Sequence, residues 1–305
     1  MCDDHTPIEI GWVFKPTGKS VQYAIDALTP IDGTPYSPEQ NLDLLSLLAA
    51  NGQCRDFNMD WTLKCTQSLL TPASMLSPDL KRVSQFFIGN YLLPFSDHNT
   101  PPLTFARLGV ELGRTGMMSL KAYFIPKVRS LVDKVSAMDI ITPTVKNLGM
   151  EIPWSKATSF FHGLPEKYNV QPVIVAVDCV PGPRNRLKVY VRTQATHLSA
   201  LCDMLTLGGQ LDGLAIDATL AKLRKIWHAL FGNVPDDLPV QQKKRSNLDP
   251  PTGFLFYYEM SPNNHSPIPK IYIPAARFLK NDEHVAQVMS KFLGDSYHGD
   301  VKTLL

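Results

Sequence analysis

Three short runs carry a lysine two residues before a tyrosine: Lys121-Ala-Tyr123, Lys188-Val-Tyr190 and Lys270-Ile-Tyr272. Each lies in a β-type stretch, SLKAYFIP, RLKVYVRT and PKIYIP. In a strand, residues i and i+2 point to the same side, so each lysine shares a face with a tyrosine. Ala122/Phe124, Val189/Val191 and Ile271/Ile273 take the other face. Ammonium groups bind an anion such as a diphosphate, and aromatic ring faces shelter a cation. A space lined by both suits the heterolysis of an allylic diphosphate into an anion and a carbocation. Arg186, two residues before Lys188, adds a bidentate donor for phosphate.

Strand-like runs in pairs are what must position these residues. The pairs are 7–14 with 21–28, 103–112 with 117–125, 172–180 with 186–193, and 253–260 with 269–274. Short loops rich in Gly, Pro or Asn join the strands of a pair, as hairpins require. Helical patterns separate the pairs. Ser37-Pro38-Glu39 reads as a helix start, with Ser at the N-cap and Pro at the first position. Ser77-Pro78-Asp79 reads as the start of another that continues through Tyr91. Residues 196–207, 217–231 and 281–293 complete the set. The repeat is strand-strand-helix-helix. Such hairpins, joined edge to edge and closed into a barrel, hide their edges. The expected fold is therefore α+β: an antiparallel β-barrel with a polar lumen and helices outside, in a single domain over 1–305. The fourth unit stops at Leu305 after one helix, so the barrel is expected to be incomplete.

Composition excludes several other readings. The 305 residues are 44% hydrophobic with net charge +2, enough for a large core and no bulk electrostatic attraction to nucleic acid. Five scattered cysteines without a CxxC pair fit a reducing, cytoplasmic setting. No run is apolar enough to cross a membrane. Gly18-Lys19-Ser20 lacks the glycine five residues earlier that a phosphate-binding loop needs. No zinc-spaced Cys/His cluster and no DDxxD motif is present.

With these motifs in order, the chain resembles the fungal dimethylallyltryptophan synthase family of aromatic prenyltransferases. The resemblance runs through TPIEIGW (6–12), LKAYFIP (120–126), VAVDCV…RLKVYVRT (175–193), FLFYYEM (254–260), PKIYIPA (269–275) and NDEHVAQVMSKFL (281–293). It implies the prenyltransferase ABBA barrel, with family segments missing at both ends. It implies transfer of a dimethylallyl group from dimethylallyl diphosphate to an indole, tryptophan or a tryptophan derivative, without a metal or other cofactor. Glu9 would accept the indole N–H. Gln22, Lys121, Arg186, Lys188 and Lys270 would hold the diphosphate, and Tyr123, Tyr190 and Tyr272 would shield the cation. Gln22 departs from the family pattern, which commonly has an arginine there. Tyr257 and Tyr258 are adjacent, so they must face opposite sides. The partners expected are the aromatic acceptor and the prenyl diphosphate, with a homodimer the one protein assembly considered, and no nucleic acid or membrane. The competing expectation is a shortened, non-catalytic relative that binds a prenyl diphosphate or a partner chain.

Overall fold

A computed structural model describes residues 8–15, 18–28, 37–51, 54, 56–72, 87–88, 91–92, 106–113, 116–243 and 253–293. The four expected hairpins are present. They are β1 (Ile8–Lys15) with β2 (Gly18–Ile25), β5 (Ala106–Leu112) with β6 (Met118–Phe124), β7 (Gln171–Asp178) with β8 (Leu187–Thr193), and β9 (Phe254–Met260) with β10 (Ile268–Tyr272). The strands are hydrogen-bonded in the order β1-β2-β5-β6-β7-β8-β9-β10, which follows the chain. The β1/β2, β2/β5, β5/β6 and β6/β7 ladders are antiparallel.

The helix expected from Ser77 through Tyr91 is not what the described residues show. Residues 73–86 lie outside them, and Phe87–Ile88 (β3) and Tyr91–Leu92 (β4) form a short antiparallel ladder. Phe and Ile favour strands as readily as an apolar helix face, so a short run of them does not fix the choice.

The chain divides into two compact units. The first comprises Met1–Trp154, Pro172–Tyr190 and Glu259–His265; the second comprises Ser155–Gln171, Val191–Tyr258 and Ser266–Leu305.

In the first unit, α1 (Pro38–Ala50) starts at Ser37 through a capping box. Ser37 Oγ accepts from the Gln40 amide at 3.2 Å, and the Gln40 side chain accepts from the Ser37 amide at 2.8 Å. Two otherwise orphaned donors are thereby satisfied. Ser136 and Asp139 repeat the device at the start of α4 (Ala137–Asn147), which follows α2 (Asp60–Leu69) and α3 (Lys127–Asp133). α1 lies against β5, and α2 lies against β6 and α4. The sheet face turned to them is apolar: Leu108, Leu120, Ala122, Phe124, Val175, Val177 and Val189 are buried. A side chain the size of Phe124 contributes about 2–3 kcal/mol when removed from water in this way. Period-2 alternation sends every intervening residue to the opposite face. On β1, Ile8 and Ile10 are exposed on one face and Glu9 on the other.

In the second unit, α5 (Glu151–His162) from Ser155 onward, α6 (Leu198–Thr206) and α7 (Leu214–Phe231) supply the helical layer, followed by α8 (Ala275–Phe278) and α9 (Asp282–Leu293). Phe254, Phe256 and Tyr258 alternate into its core. Trp227 packs on Phe231 and Phe254 with ring centroids 4.3 and 6.0 Å away. Tyr258 is fully buried and donates its hydroxyl to the Met204 carbonyl at 2.8 Å. That settles the tyrosine pair: Tyr258 packs in the core, and Tyr257 takes the other side.

Candidate active site

The polar face of the first unit can be built row by row from the strand register. Across four strands and onto a fifth, Glu9 pairs with Ala24, Ala24 with Gly109, Gly109 with Lys121, and Lys121 with Asp178. Directly paired residues on adjacent strands point to the same side. One row therefore presents a carboxylate, a methyl, a bare backbone, an ammonium and a carboxylate. Ala24 leaves a low floor beside Glu9, and the space over Gly109 is taken by the Tyr123 ring. Three strand spacings separate Glu9 from Lys121, about 14 Å along the sheet.

Neighbouring rows complete the face. Arg107 pairs with Tyr123, and Gln22 with Glu111. Arg107 is buried, and its Nε lies 2.9 Å from Oδ1 of Asp26, whose side chain is wholly inaccessible. Its Nη1 lies 3.7 Å from Oε2 of Glu9, whose side chain is 62% exposed. Glu9 therefore sits at the open rim, attracted by a guanidinium that a second carboxylate anchors from below.

Lys121 donates to Glu111 Oε2 at 2.8 Å. The same carboxylate accepts from the Gln22 amide at 3.0 Å and from Ser20 Oγ at 2.8 Å. Asp178 gathers the other cations. It accepts from Arg186 Nε at 2.6 Å and from Lys188 Nζ at 3.1 Å, and Arg186 also reaches Glu259 at 3.3 Å. Pairing of this kind is what allows charges to stay buried.

The charges shape one another. Burial would raise the Asp178 carboxyl, but Lys188, Arg186 and Lys121 outweigh it and hold the group below its ordinary value. Burial pushes the Lys188 ammonium down; Arg186 and Lys121 add to that, and Asp178 opposes it. For Arg186, burial is outweighed by Asp178 and Glu259, which raise the guanidinium further. Tyr123 is pushed up to about 12, chiefly by burial and then by Asp178 and Glu9, against a hydrogen bond with Tyr190 and the charge of Arg107. Its ring is therefore neutral at working pH. The Tyr123 and Tyr190 centroids are 6.2 Å apart and tilted by 51°.

Of the residues singled out in the sequence, Glu9, Gln22, Lys121, Tyr123, Arg186, Lys188 and Tyr190 share this first unit. Lys270 and Tyr272 belong to the second. There Lys270 is exposed, with Nζ 5.4 Å from the Tyr272 centroid and 5.6 Å from that of Tyr257. The sequence reading passed over Arg107, Glu111, Asp26 and Glu259. The signal was present in ARLGVEL, where Arg107, Gly109 and Glu111 alternate with Leu108, Val110 and Leu112. Among the described residues no cluster of His, Cys, Asp and Glu could hold a metal ion, and no helix is long and apolar enough to cross a membrane.

A hairpin-and-helix α+β fold with cations, phenols and carboxylates on one sheet face defines a protein class that known proteins share. The chain belongs to the tryptophan dimethylallyltransferase family, whose model matches residues 1–302. A 4-O-dimethylallyl-L-tyrosine synthase of Claviceps purpurea (strain 20.1) is 28% identical, over 96% of this chain and 63% of that relative. An indole diterpene prenyltransferase of Aspergillus flavus is 24% identical, over 98% of this chain and 67% of its own length. The chain thus spans about two thirds or less of these relatives. Among solved structures, AnaPT from Neosartorya fischeri superposes with a TM-score of 0.75 at 19% identity, over 97% of this chain and 68% of AnaPT. NotF in complex with brevianamide F and DMSPP gives 0.69 at 21% identity, over 97% of this chain and 70% of NotF. These likenesses bear out the expected fold class.

Proposed function

We propose that the chain is a metal-independent aromatic prenyltransferase. It moves a dimethylallyl group from dimethylallyl diphosphate to an indole, as tryptophan or a tryptophan derivative, in secondary metabolism. The carrying observation is that Lys121, Arg186 and Lys188 lie on the same sheet face as Tyr123 and Tyr190, with Glu9 on its rim. Family membership supports the reading over that of a shortened, non-catalytic relative.

The reaction follows from the geometry. Lys121, Arg186 and Lys188 hold the diphosphate and compensate the charge it gains as its C–O bond breaks, taking the electron pair. No resident metal is needed for that compensation in this reading. Gln22 contributes a hydrogen-bond donor beside them but no charge. Tyr123 and Tyr190 face the allylic cation and keep water from it. The indole attacks, and its ring proton passes to a base. Arg107 stays protonated at working pH and cannot take it. Glu9, exposed on the rim beside Arg107, takes the role the family pattern implies: it hydrogen-bonds the N–H and relieves the cationic intermediate. Lys270 and Tyr272 carry the same roles in the family pattern: a further phosphate contact and a further shielding ring. The aromatic acceptor and the prenyl diphosphate are the partners, and the cytoplasm is the setting that fits reduced cysteines.

A phenol is the second acceptor reading, favoured by the tyrosine-modifying relative at 28% identity. The same Glu9 would accept the phenol O–H, and the oxygen would attack. The test is incubation with labelled dimethylallyl diphosphate and a panel of tryptophan, tyrosine and tryptophan-containing dipeptides. Prenylated product is expected with at least one of them. A folded chain that prenylates none would overturn the proposal.

A further inference from the structure

Among the described glycines of the polar face, Gly109 is the one where a side chain has no room. A Cβ built there would stand 2.7 Å from Cε2 and 3.4 Å from the phenol oxygen of Tyr123, and 3.0 Å from Lys121 Cβ. Its backbone is ordinary extended strand, so the glycine is not required for a special turn. It is required because something lies on top of it. Tyr123 pairs with Arg107, yet its ring leans along β5 and rests on the bare Gly109 backbone. The Tyr190 ring lies 6.2 Å away, centroid to centroid, tilted by 51°. A strand glycine commonly marks such a close approach, and an aromatic ring laid across one also covers the backbone.

We propose that Gly109 is a positioning residue: its missing side chain is the seat that holds the Tyr123 ring low over the sheet, and the height of that ring decides whether the allylic cation meets the acceptor or water. The inference rests on the prenyl-transfer reading for its second half only. With the ring seated on Gly109, it covers the cation and leaves the floor over Ala24 open to a flat acceptor. With the ring lifted, water reaches the cation. The C–O bond of the donor breaks with its electron pair on the diphosphate, the water oxygen bonds the allylic carbon, and a proton is lost. Dimethylallyl alcohol then replaces the prenylated aromatic.

The experiment compares Gly109→Ala, Tyr123→Ala and the double variant, with Tyr123→Phe to assign the titration of the Tyr123 phenol. That phenol sits among Asp178, Glu9, Arg107 and Tyr190 and titrates at about 12. In Gly109→Ala it is expected to move toward the ordinary 10.0, because a lifted ring loses its burial. The ratio of dimethylallyl alcohol to prenylated product is expected to rise about fivefold or more, with donor KM changed less than about twofold. In the Tyr123→Ala background the alanine is expected to add nothing to that ratio and to restore any stability lost in the single variant. An unmoved titration or an unmoved ratio overturns the proposal. So does equal damage with Tyr123 removed, which would assign the glycine to spacing against Lys121 instead. If the unchanged chain turns over no donor, the prenyl-transfer reading fails and the ring loses its assigned role, while the titration still judges the seat.

Discussion

In the proposed reaction Glu111 would compete with the diphosphate for Lys121. At 2.8 Å it accepts from the ammonium, and it accepts from Gln22 as well. Glu111→Gln is expected to lower the donor KM by about three- to tenfold, since a charge-assisted bond to a buried lysine is worth about 1 kcal/mol or more. The same change is expected to lower the melting temperature, because Lys121 is then buried without its counter-charge. Donor saturation curves and thermal melts check the two effects together. Glu9 acts differently. Glu9→Gln keeps size and a hydrogen-bond acceptor but removes the charge that, in the proposed reaction, meets the cationic intermediate. It is expected to reduce kcat about a hundredfold with little change in donor KM, measured in the same assay. The lysine–tyrosine frames made Lys121, Tyr123, Lys188 and Tyr190 visible in the sequence. Arg107 and Glu111 carried the same alternation but no repeated frame. Their partners are also far away in the chain: Ser20 and Glu111 are 91 residues apart. Local pattern gives a residue's face; it does not give the partner across the sheet.

At the scale of elements, caps and turns were the most legible features because they are local chemistry. Ser37-Pro38 announces α1, and the hairpins follow from paired β-type runs between turn residues. The capping box at α1 is expected to be worth about 1 kcal/mol, so Ser37→Ala should lower the unfolding free energy read from denaturant titration by that amount without touching donor affinity. The run ending at Tyr91 misled, since apolar residues at mixed spacing suit a strand or a helix equally. Gly253 shows what pattern cannot reveal. It has φ +59, and a Cβ there would fall 1.9 Å from the Thr193 carbonyl oxygen. Gly253→Ala is expected to destabilise the second unit by about 2 kcal/mol or more, through strain and clash together, as read by chemical denaturation. The sequence shows a glycine before a strand; only the fold shows the backbone it must avoid.

For the whole molecule, the polar face of the first unit pairs its cations internally, four of them against five carboxylates. Arg107, Lys121, Arg186 and Lys188 are matched by Glu9, Asp26, Glu111, Asp178 and Glu259. Asp178 has its folded value below the ordinary one, so its stabilisation is present above the ordinary carboxylate range. That stabilisation is lost as pH falls through the folded value. Acid unfolding is therefore expected to begin below about pH 4 and to be shifted upward in Lys188→Met, which removes one of the charges that depress Asp178. Far-UV circular dichroism against pH checks this. The barrel-type repeat and the family were legible because hairpins and helices recur in order over the whole chain. The division into two units was not, since its boundaries cut through β7, β8 and β9. The central claim is that the cations of the first unit, though paired with carboxylates, bind a prenyl diphosphate. Calorimetric titration of the chain with a non-hydrolysable thiolo analogue of dimethylallyl diphosphate, repeated with Lys188→Ala, tests it most directly. Micromolar binding without added metal, weakened about tenfold or more in the variant, is the expected result. No binding by the folded chain, or the same affinity in both proteins, would contradict it.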